Sequence, residues 1–256
     1  MSAAHAKILI DEAIEAHGGS GYWDSLDALE ISHSAEGFLF VTKHRRKLDH
    51  VRARLSTREP RLTFYDFPEH GQQAELLGEQ EVRIRDRQGR ILDRRLQPRL
   101  SFRSFRRQLF WDDLDFTYFA GYAMWNYLTM PFLFAREGFL FDMLEPVPGD
   151  FESCSRILVT FPPDLPTHCR KQIYYFDHER HLRRLDYTAE VIGGWARAAH
   201  ICEDYRQFGS LKAPVRRRVL PLFSFKKPLP GPALVAIDIH EIMPVSRLFA
   251  SGKPER

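Results

Sequence analysis

The segment at residues 51–67, VRARLSTREPRLTFYDF, decides the predicted fold of this 256-residue chain. Residues 51–55 alternate apolar and polar side chains, and residues 61–67 repeat the alternation. Side chains of a strand point alternately to opposite faces, so the pattern predicts strands with one buried and one solvated face. Such strands are typical of an antiparallel sheet that covers a core on one side only.

Similar strand patterns recur on both sides of a central segment. The predicted strands are 29–40, 41–51, 51–55, 61–67, 81–85, 91–92, 156–161, 170–177, 182–190, 198–208, 216–222 and 234–242. Helices are predicted at 3–17 and 21–26, and residues 86–90 read as a hairpin turn. We therefore predict an α+β fold in which a large curved antiparallel sheet, an unclosed half-barrel, wraps helices and leaves an apolar cavity.

No repeat or low-complexity linker divides the chain, so residues 1–256 are predicted to form a single domain. Its parts are the N-terminal helix 3–17, early strands 29–100, a helical aromatic insertion 104–144, late strands 156–242 and a frayed tail 251–256.

The insertion is the most informative segment, with helices predicted at 104–110 and 111–128. Its aromatic side chains pair an apolar body with, in Tyr and Trp, a polar tip, which suits pockets for amphipathic ligands. They could equally plug the concave sheet. The candidate ligand-binding residues are Phe116, Tyr118, Phe119, Tyr122, Trp125, Tyr127, Phe132 and Phe134.

The overall charge of +3 argues against a nucleic-acid partner. Arginines cluster at 83–107, where they form either solvated strand faces or a rim for an anionic head group. No run of about 18 apolar residues is present, so stable membrane insertion is not expected. The first 19 residues lack the pattern of a secretion signal, and we therefore expect a cytoplasmic location.

Several stretches carry a family resemblance: Glu15-Ala16-His17-Gly18-Gly19, then 111–115, 118–122 and 125–128, and later 175–177, 182–187 and 237–239. The chain resembles uncharacterised bacterial proteins of about this length with an "AHGG" N-terminal helix. At the level of fold it is similar to lipoprotein carriers of the LolA/LolB/LppX type. That resemblance implies an unclosed barrel capped by helices, with an apolar cavity for acyl chains.

Polar residues offer few candidates for catalysis. Asp112, Asp113 and Asp115 favour a helix N-terminus over a metal site, because no further ligand follows at suitable spacing. His200, Cys202 and Asp204 are predicted to share one face of a strand, with Tyr205 on the other. The candidate acid–base residues are His200, Tyr187, Asp204 and Tyr122.

No nucleotide-binding, zinc-protease or serine-hydrolase motif is found, so no cofactor and no metal are predicted. The leading hypothesis is the binding of a hydrophobic or amphipathic small molecule, such as a lipid or a secondary metabolite. One alternative is an enzyme with cyclase- or isomerase-like acid–base chemistry in the same cavity. The other is a protein-interaction module that uses an open sheet edge.

Overall fold

The computed structural model describes residues 3–223, 227–229 and 231–247. All strands in these residues belong to one antiparallel sheet. The strands are β1 (Leu26–Glu36), β2 (Leu48–Ser56), β3 (Arg61–Tyr65), β4 (Gln73–Leu77), β5 (Glu81–Arg85), β6 (Ile91–Leu96), β7 (Leu140–Leu144), β8 (Ser155–Thr160), β9 (Lys171–Phe176), β10 (Leu182–Thr188), β11 (Arg197–Phe208), β12 (Leu211–Pro221) and β13 (Val235–Ser246).

The sheet consists of two meanders that meet at the first and last strands. Its order is β6-β5-β4-β3-β2-β1-β13-β12-β11-β10-β9-β8-β7, and each neighbouring pair is antiparallel. The chain therefore runs outward from β1 to one edge and returns from the other edge to β13. The edge strands β6 and β7 do not pair, so the predicted α+β half-barrel is confirmed as an unclosed thirteen-stranded sheet.

Several helices accompany the strands. They are α1 (Ala3–Ala16), α2 (Ser20–Asp24), α3 (Phe38–Thr42), α4 (Phe105–Leu109) and α5 (Asp113–Thr129), with 3-10 helices at Pro98–Arg103 and Phe132–Ala135. The long helix α5 packs against β3, β4, β5 and β6, whereas α1 packs against β7. No helix among the described residues is both long and apolar enough to cross a membrane.

The apolar residues of the alternating segment 51–67 are buried, as the pattern predicts. Ala53, Leu55, Leu62 and Phe64 are each at most 1% exposed. Their strands pair in register, with Ala53 opposite Phe64 and Leu55 opposite Leu62. The early half of the core is thus built by the period-two pattern.

Two local predictions fail. Residues 38–42 form α3 instead of extending a strand, because the chain turns at Gly37, which has φ +142°. Gly37 also packs closely against the Leu234 carbonyl, since a Cβ at this position would lie 2.5 Å from the carbonyl oxygen. The chain turns there, and the Phe38 N–H donates to the Ala233 carbonyl in the segment that leads into β13. Strand β4 is not predicted, although Gln73, Ala74, Glu75 and Leu76 alternate polar and apolar side chains; the polar Glu75 is nevertheless buried. The predicted tail 251–256 lies outside the described residues.

Candidate functional site

A cavity of about 730 Å³ lies between α5 and the central strands. Its walls come from α3, one face of α5, strands β1, β2, β10, β11, β12 and β13, and the β10–β11 connection. The wall includes His33, Ala35, Phe38, Lys43, Arg45, Trp111, Phe116, Phe119, Ala120, Ala123, Met124, Tyr127, Tyr187, Ala189, Trp195, Arg197, Ala198 and Phe223.

Small side chains leave this space open. The sheet contributes Ala35 and Ala198 to the wall, the β10–β11 connection contributes Ala189, and α5 contributes Ala120 and Ala123. Interiors are otherwise packed to near-crystalline density, and a void forfeits dispersion contacts along its lining. Alanines facing each other across an apolar space are therefore typical of a site that receives a ligand.

The open face of α5, defined here as Phe116, Phe119, Ala120, Ala123, Met124 and Tyr127, has the i, i+3, i+4, i+7 spacing of one side of a helix. Of the eight predicted ligand-binding residues, Phe116, Phe119 and Tyr127 line the cavity. The other five, Tyr118, Tyr122, Trp125, Phe132 and Phe134, do not belong to its wall.

Those five residues fill the interior elsewhere. Tyr118 donates its hydroxyl to Glu79, and Trp125 donates its indole N–H to the Ser56 carbonyl at 2.9 Å. Phe132 stacks on Trp23 with ring centroids 4.3 Å apart, and Phe134 meets Tyr174 edge to face. The remaining one, Tyr122, belongs to a hydrogen-bonded chain. Three of the eight aromatic residues thus line the cavity, and the other five fill the interior.

That chain connects two of the four acid–base candidates. The Tyr122 hydroxyl lies 3.0 Å from His168 Nδ1, and the Tyr127 hydroxyl lies 2.7 Å from His168 Nε2. The Tyr127 hydroxyl also lies 3.0 Å from the Tyr187 hydroxyl. Burial, reinforced by the charge of Arg99, lowers the pKa of His168 to about 3, so the imidazole is neutral. A neutral imidazole and three phenols thus form an uncharged hydrogen-bonded chain.

The four candidates do not meet in the cavity. Tyr187 lines it and Tyr122 lies behind it, while His200 is fully buried against the Tyr127 ring, 4.3 Å between centroids. Asp204 is exposed and does not line the cavity. An acid–base enzyme would require at least two of these groups to converge in a solvent-connected cavity, and only one lines it.

The predicted facing of strand β11 is wrong beyond Cys202. Asp204 has φ +56°, a left-handed conformation that breaks the alternation. Tyr205 consequently turns inward, where its hydroxyl donates to the Leu182 carbonyl at 2.8 Å and lies 3.2 Å from His17 Nε2. His200 and Asp204 therefore do not share a face.

The mouth of the cavity is aromatic. Phe38, Trp195 and Phe223 line the cavity, yet they are 55%, 78% and 78% exposed. A side chain that both borders the cavity and faces solvent must lie at its opening. These three side chains therefore form an apolar entrance.

Positive charge lies near the N-terminal end of α5. The Lys43 ammonium lies over the Trp111 ring, 5.5 Å from its centroid. The Arg45 guanidinium pairs with Asp113 and donates to the Trp111 carbonyl at 3.2 Å. All three of Lys43, Arg45 and Trp111 line the cavity. Two of the basic side chains in the wall therefore lie in this corner, and Arg197 lines the cavity at the start of β11.

Next to this corner, the aspartates of α5 act as a helix cap, as predicted. Asp112 and Asp115 form a reciprocal capping box. Asp115 is fully buried, where Arg95 and Arg107 each approach one of its oxygens to 2.7 Å. No group of His, Cys, Asp and Glu in the described part of the chain could hold a metal ion.

Most arginines of the 83–107 cluster are ion-paired and do not form a free rim. Arg83 and Arg85 pair with Glu75, and Arg99 pairs with Glu190. Their charges are largely neutralised at these sites.

Similarity to other proteins is confined to the fold. No protein-family model matches the chain, and no curated protein sequence matches it. A domain from Vibrio parahaemolyticus, assigned to outer membrane lipoprotein sorting, superposes with a TM-score of 0.54 at 10% identity, covering 97% of this chain and 96% of that one. The two chains share a fold.

A DUF1329 family protein from Desulfovibrio piger superposes with a TM-score of 0.51 at 11% identity, covering 93% of this chain and 92% of that one. A LolA superfamily protein from Nitrosomonas europaea has a TM-score of 0.49 at 11% identity, covering 95% and 94%. The fold-level resemblance to lipoprotein carriers is thereby confirmed by the Vibrio domain. The resemblance to "AHGG" proteins finds no match.

Proposed function

We propose that this protein binds a lipid-like amphipathic molecule in the cavity between α5 and the central strands. The observation that carries the proposal is the cavity itself, with alanines on both walls and an aromatic mouth. Its volume of about 730 Å³ is within the range of about 300–1,000 Å³ that is usual for small-molecule sites.

The shape favours an elongated apolar chain. From Phe116 to Tyr127 the open face advances eleven residues along α5, or about 16 Å at 1.5 Å per residue. Each buried methylene contributes about 0.8 kcal/mol, so about ten of them give about 8 kcal/mol before the cost of association. An aliphatic chain can thus bind here without precise polar contacts.

A lipid-bearing ligand also agrees with the lipoprotein sorting assigned to the Vibrio domain that shares the fold. That likeness concerns fold alone, so the cavity carries the argument. Of the acid–base candidates only Tyr187 lines the cavity, and its hydroxyl is held by Tyr127. Binding is therefore favoured over catalysis by these residues.

The proposal is tested by native mass spectrometry and by displacement of a fluorescent fatty acid from the purified protein. Ala123→Trp places an indole in the cavity and is expected to weaken probe binding at least tenfold. The matched control is Ala135→Trp, because Ala135 is exposed and lies outside the cavity wall. Circular dichroism verifies that both variants fold. Equal binding by wild type and Ala123→Trp, or no probe binding by wild type, would contradict the proposal.

A further inference from the structure

His33 is a polar residue in the wall of a largely apolar cavity. On β1, Ile31, His33 and Ala35 are buried, whereas the residues between them are partly exposed. His33 and Ala35 also line the cavity. The imidazole therefore faces the space that a ligand would occupy.

The ring of His33 is almost completely buried, yet its hydrogen-bonding capacity is not used. The residue is 1% exposed, and neither ring nitrogen has a hydrogen-bond partner within residues 3–223, 227–229 and 231–247. The backbone of Val51, opposite His33 in the sheet, could serve only one of the two nitrogens. A buried polar atom without a partner costs free energy that a suitable ligand group would recover.

The other buried histidines show that this arrangement is particular to the cavity wall. In both His17 and His168, each ring nitrogen lies within hydrogen-bond distance of a protein oxygen. His200 lacks partners within the described residues, as His33 does, but it does not line the cavity. Among the histidines that the structure describes, only His33 combines an unpaired ring with a place in the wall.

The sheet is irregular on both sides of His33. From Ser32 to His33, the partner in β13 moves by two residues, which leaves His240 as an extra residue. From His33 to Ala35, the partner in β2 moves by three residues instead of two. Extra residues of this kind re-aim side chains and are common beside active sites. Both neighbouring strands are thus bulged where the imidazole faces the cavity.

The imidazole is neutral near pH 7 and therefore suits an uncharged partner. Burial, with a contribution from His240, lowers the pKa of His33 to about 4, although the Val51 backbone opposes the shift. A neutral imidazole has one N–H donor and one nitrogen acceptor. An alcohol hydroxyl both donates and accepts, so it can pair with either nitrogen in either tautomer.

Among the described residues, Arg45 is the other wall residue with a buried unpaired atom, its Nε. The Arg45 guanidinium is already held by Asp113 and by the Trp111 carbonyl. The His33 ring has no comparable bonds, so it is the wall group with the most to gain from a ligand.

We propose that the ligand carries an alcohol hydroxyl on its aliphatic chain and that His33 binds this hydroxyl. This inference rests on the proposed binding function and names the class of ligand, a hydroxylated aliphatic chain. His33 is then a specificity-determining residue, because an unsubstituted hydrocarbon chain leaves its ring unpaired.

The experiment compares dodecanoic acid with a set of hydroxydodecanoic acids in which a single hydroxyl moves along the chain. Dissociation constants are measured by calorimetry, below micellar concentrations, for wild type, His33→Leu and His33→Gln. A hydroxyl that finds no partner in an apolar site weakens binding, so most isomers should bind wild type more weakly than dodecanoic acid. The isomer whose hydroxyl reaches His33 should bind about tenfold more tightly than the other isomers.

His33→Leu should lose this preference while it still binds dodecanoic acid. His33→Gln keeps a donor and an acceptor and should favour the same isomer as wild type. The matched control is His200→Leu, because His200 is equally buried and unpaired within the described residues but lies outside the wall. It should keep the wild-type preference.

Equal binding of all hydroxylated isomers by wild type would overturn the inference and leave the proposed function intact. So would a preference that persists in His33→Leu. If wild type binds none of the probes, dodecanoic acid included, the proposed function itself fails. The wild-type series alone can overturn the inference, even if a variant does not fold.

Discussion

The two faces of α5 differ sharply in packing. The packed face, which lies opposite the open face, consists of Leu114, Tyr118, Gly121 and Trp125. Its three large side chains are each at most 2% exposed. At Gly121 an added Cβ would lie 3.0 Å from Leu76 Cβ. The open face instead presents Ala120 and Ala123 to a cavity of about 730 Å³.

This difference teaches that the aromatic content of α5 serves two purposes. On the packed face, large side chains fill the space against β3–β6 and hold their polar tips in hydrogen bonds. On the open face, alternating large and small residues shape a void. One helix is thus both the core of the early meander and the wall of the binding site.

The largest loss of stability is expected at Asp115, the buried carboxylate in the first turn of α5. Asp115→Asn removes a fully buried carboxylate that pairs with Arg95 and Arg107. Both cations would then share the single carboxylate of Asp112, which pairs with each of them. Loss of the buried charge should lower the free energy of unfolding by about 3–5 kcal/mol, measured by urea denaturation. Asp11→Asn removes the exposed partner of Lys7 and should cost under about 1 kcal/mol. Similar losses in both variants would refute the anchoring role.

Leucine substitutions compare the two faces directly. Gly121→Leu drives a side chain into Leu76 and should cost about 1–3 kcal/mol or more. Ala123→Leu directs the same atoms into the cavity and should change stability by less than about 1 kcal/mol while weakening ligand binding. Thermal and urea unfolding of both variants measure the difference. Equal destabilisation would mean that the open face is as tightly packed as the other.

A smaller loss of stability is expected at acidic pH, because the neutral His168 is hydrogen-bonded to both Tyr122 and Tyr127 of α5. Its pKa of about 3 lies below the value of about 6.5 in an unfolded chain. The unfolded state therefore binds more protons below pH 6.5, and stability falls as the pH drops from there toward 3. Between pH 6.5 and 5 this histidine should account for a loss of about 1–2 kcal/mol.

The check is urea unfolding of wild type and His168→Gln at both pH values. The variant should lose less stability on acidification than wild type does. His178→Gln, at an exposed position, should retain the wild-type dependence. An unchanged dependence in His168→Gln would show that this imidazole is not held neutral.

Alternation alone predicts most of the sheet, because one face of each strand is buried. Strand β4 is missed although its residues 73–76 alternate, and the burial of Glu75 by its pairing with Arg83 and Arg85 in the next strand is not visible in that segment. Alternation also fails at α3. The aromatic and β-branched residues of α3 favour a strand, but the chain turns at Gly37 and forms a helix. Both failures depend on contacts that one segment cannot reveal.

The site is only partly predictable from the sequence. The aromatic block predicts eight lining residues, of which only Phe116, Phe119 and Tyr127 line the cavity. The alanines opposite them carry no local signal, since Ala198 resembles any other strand residue until the sheet is assembled. Lys43 likewise reads as part of the basic run 43–47, and only its burial distinguishes it.

The central claim is that the open face binds an aliphatic chain, and a chain-length series tests it most directly. Dissociation constants are measured for straight-chain fatty acids of increasing length with the wild-type protein. Affinity should rise by about fourfold per added methylene, from about 0.8 kcal/mol each, and then level off when the cavity is full. Affinity that is absent, or that does not change with chain length, would contradict the claim.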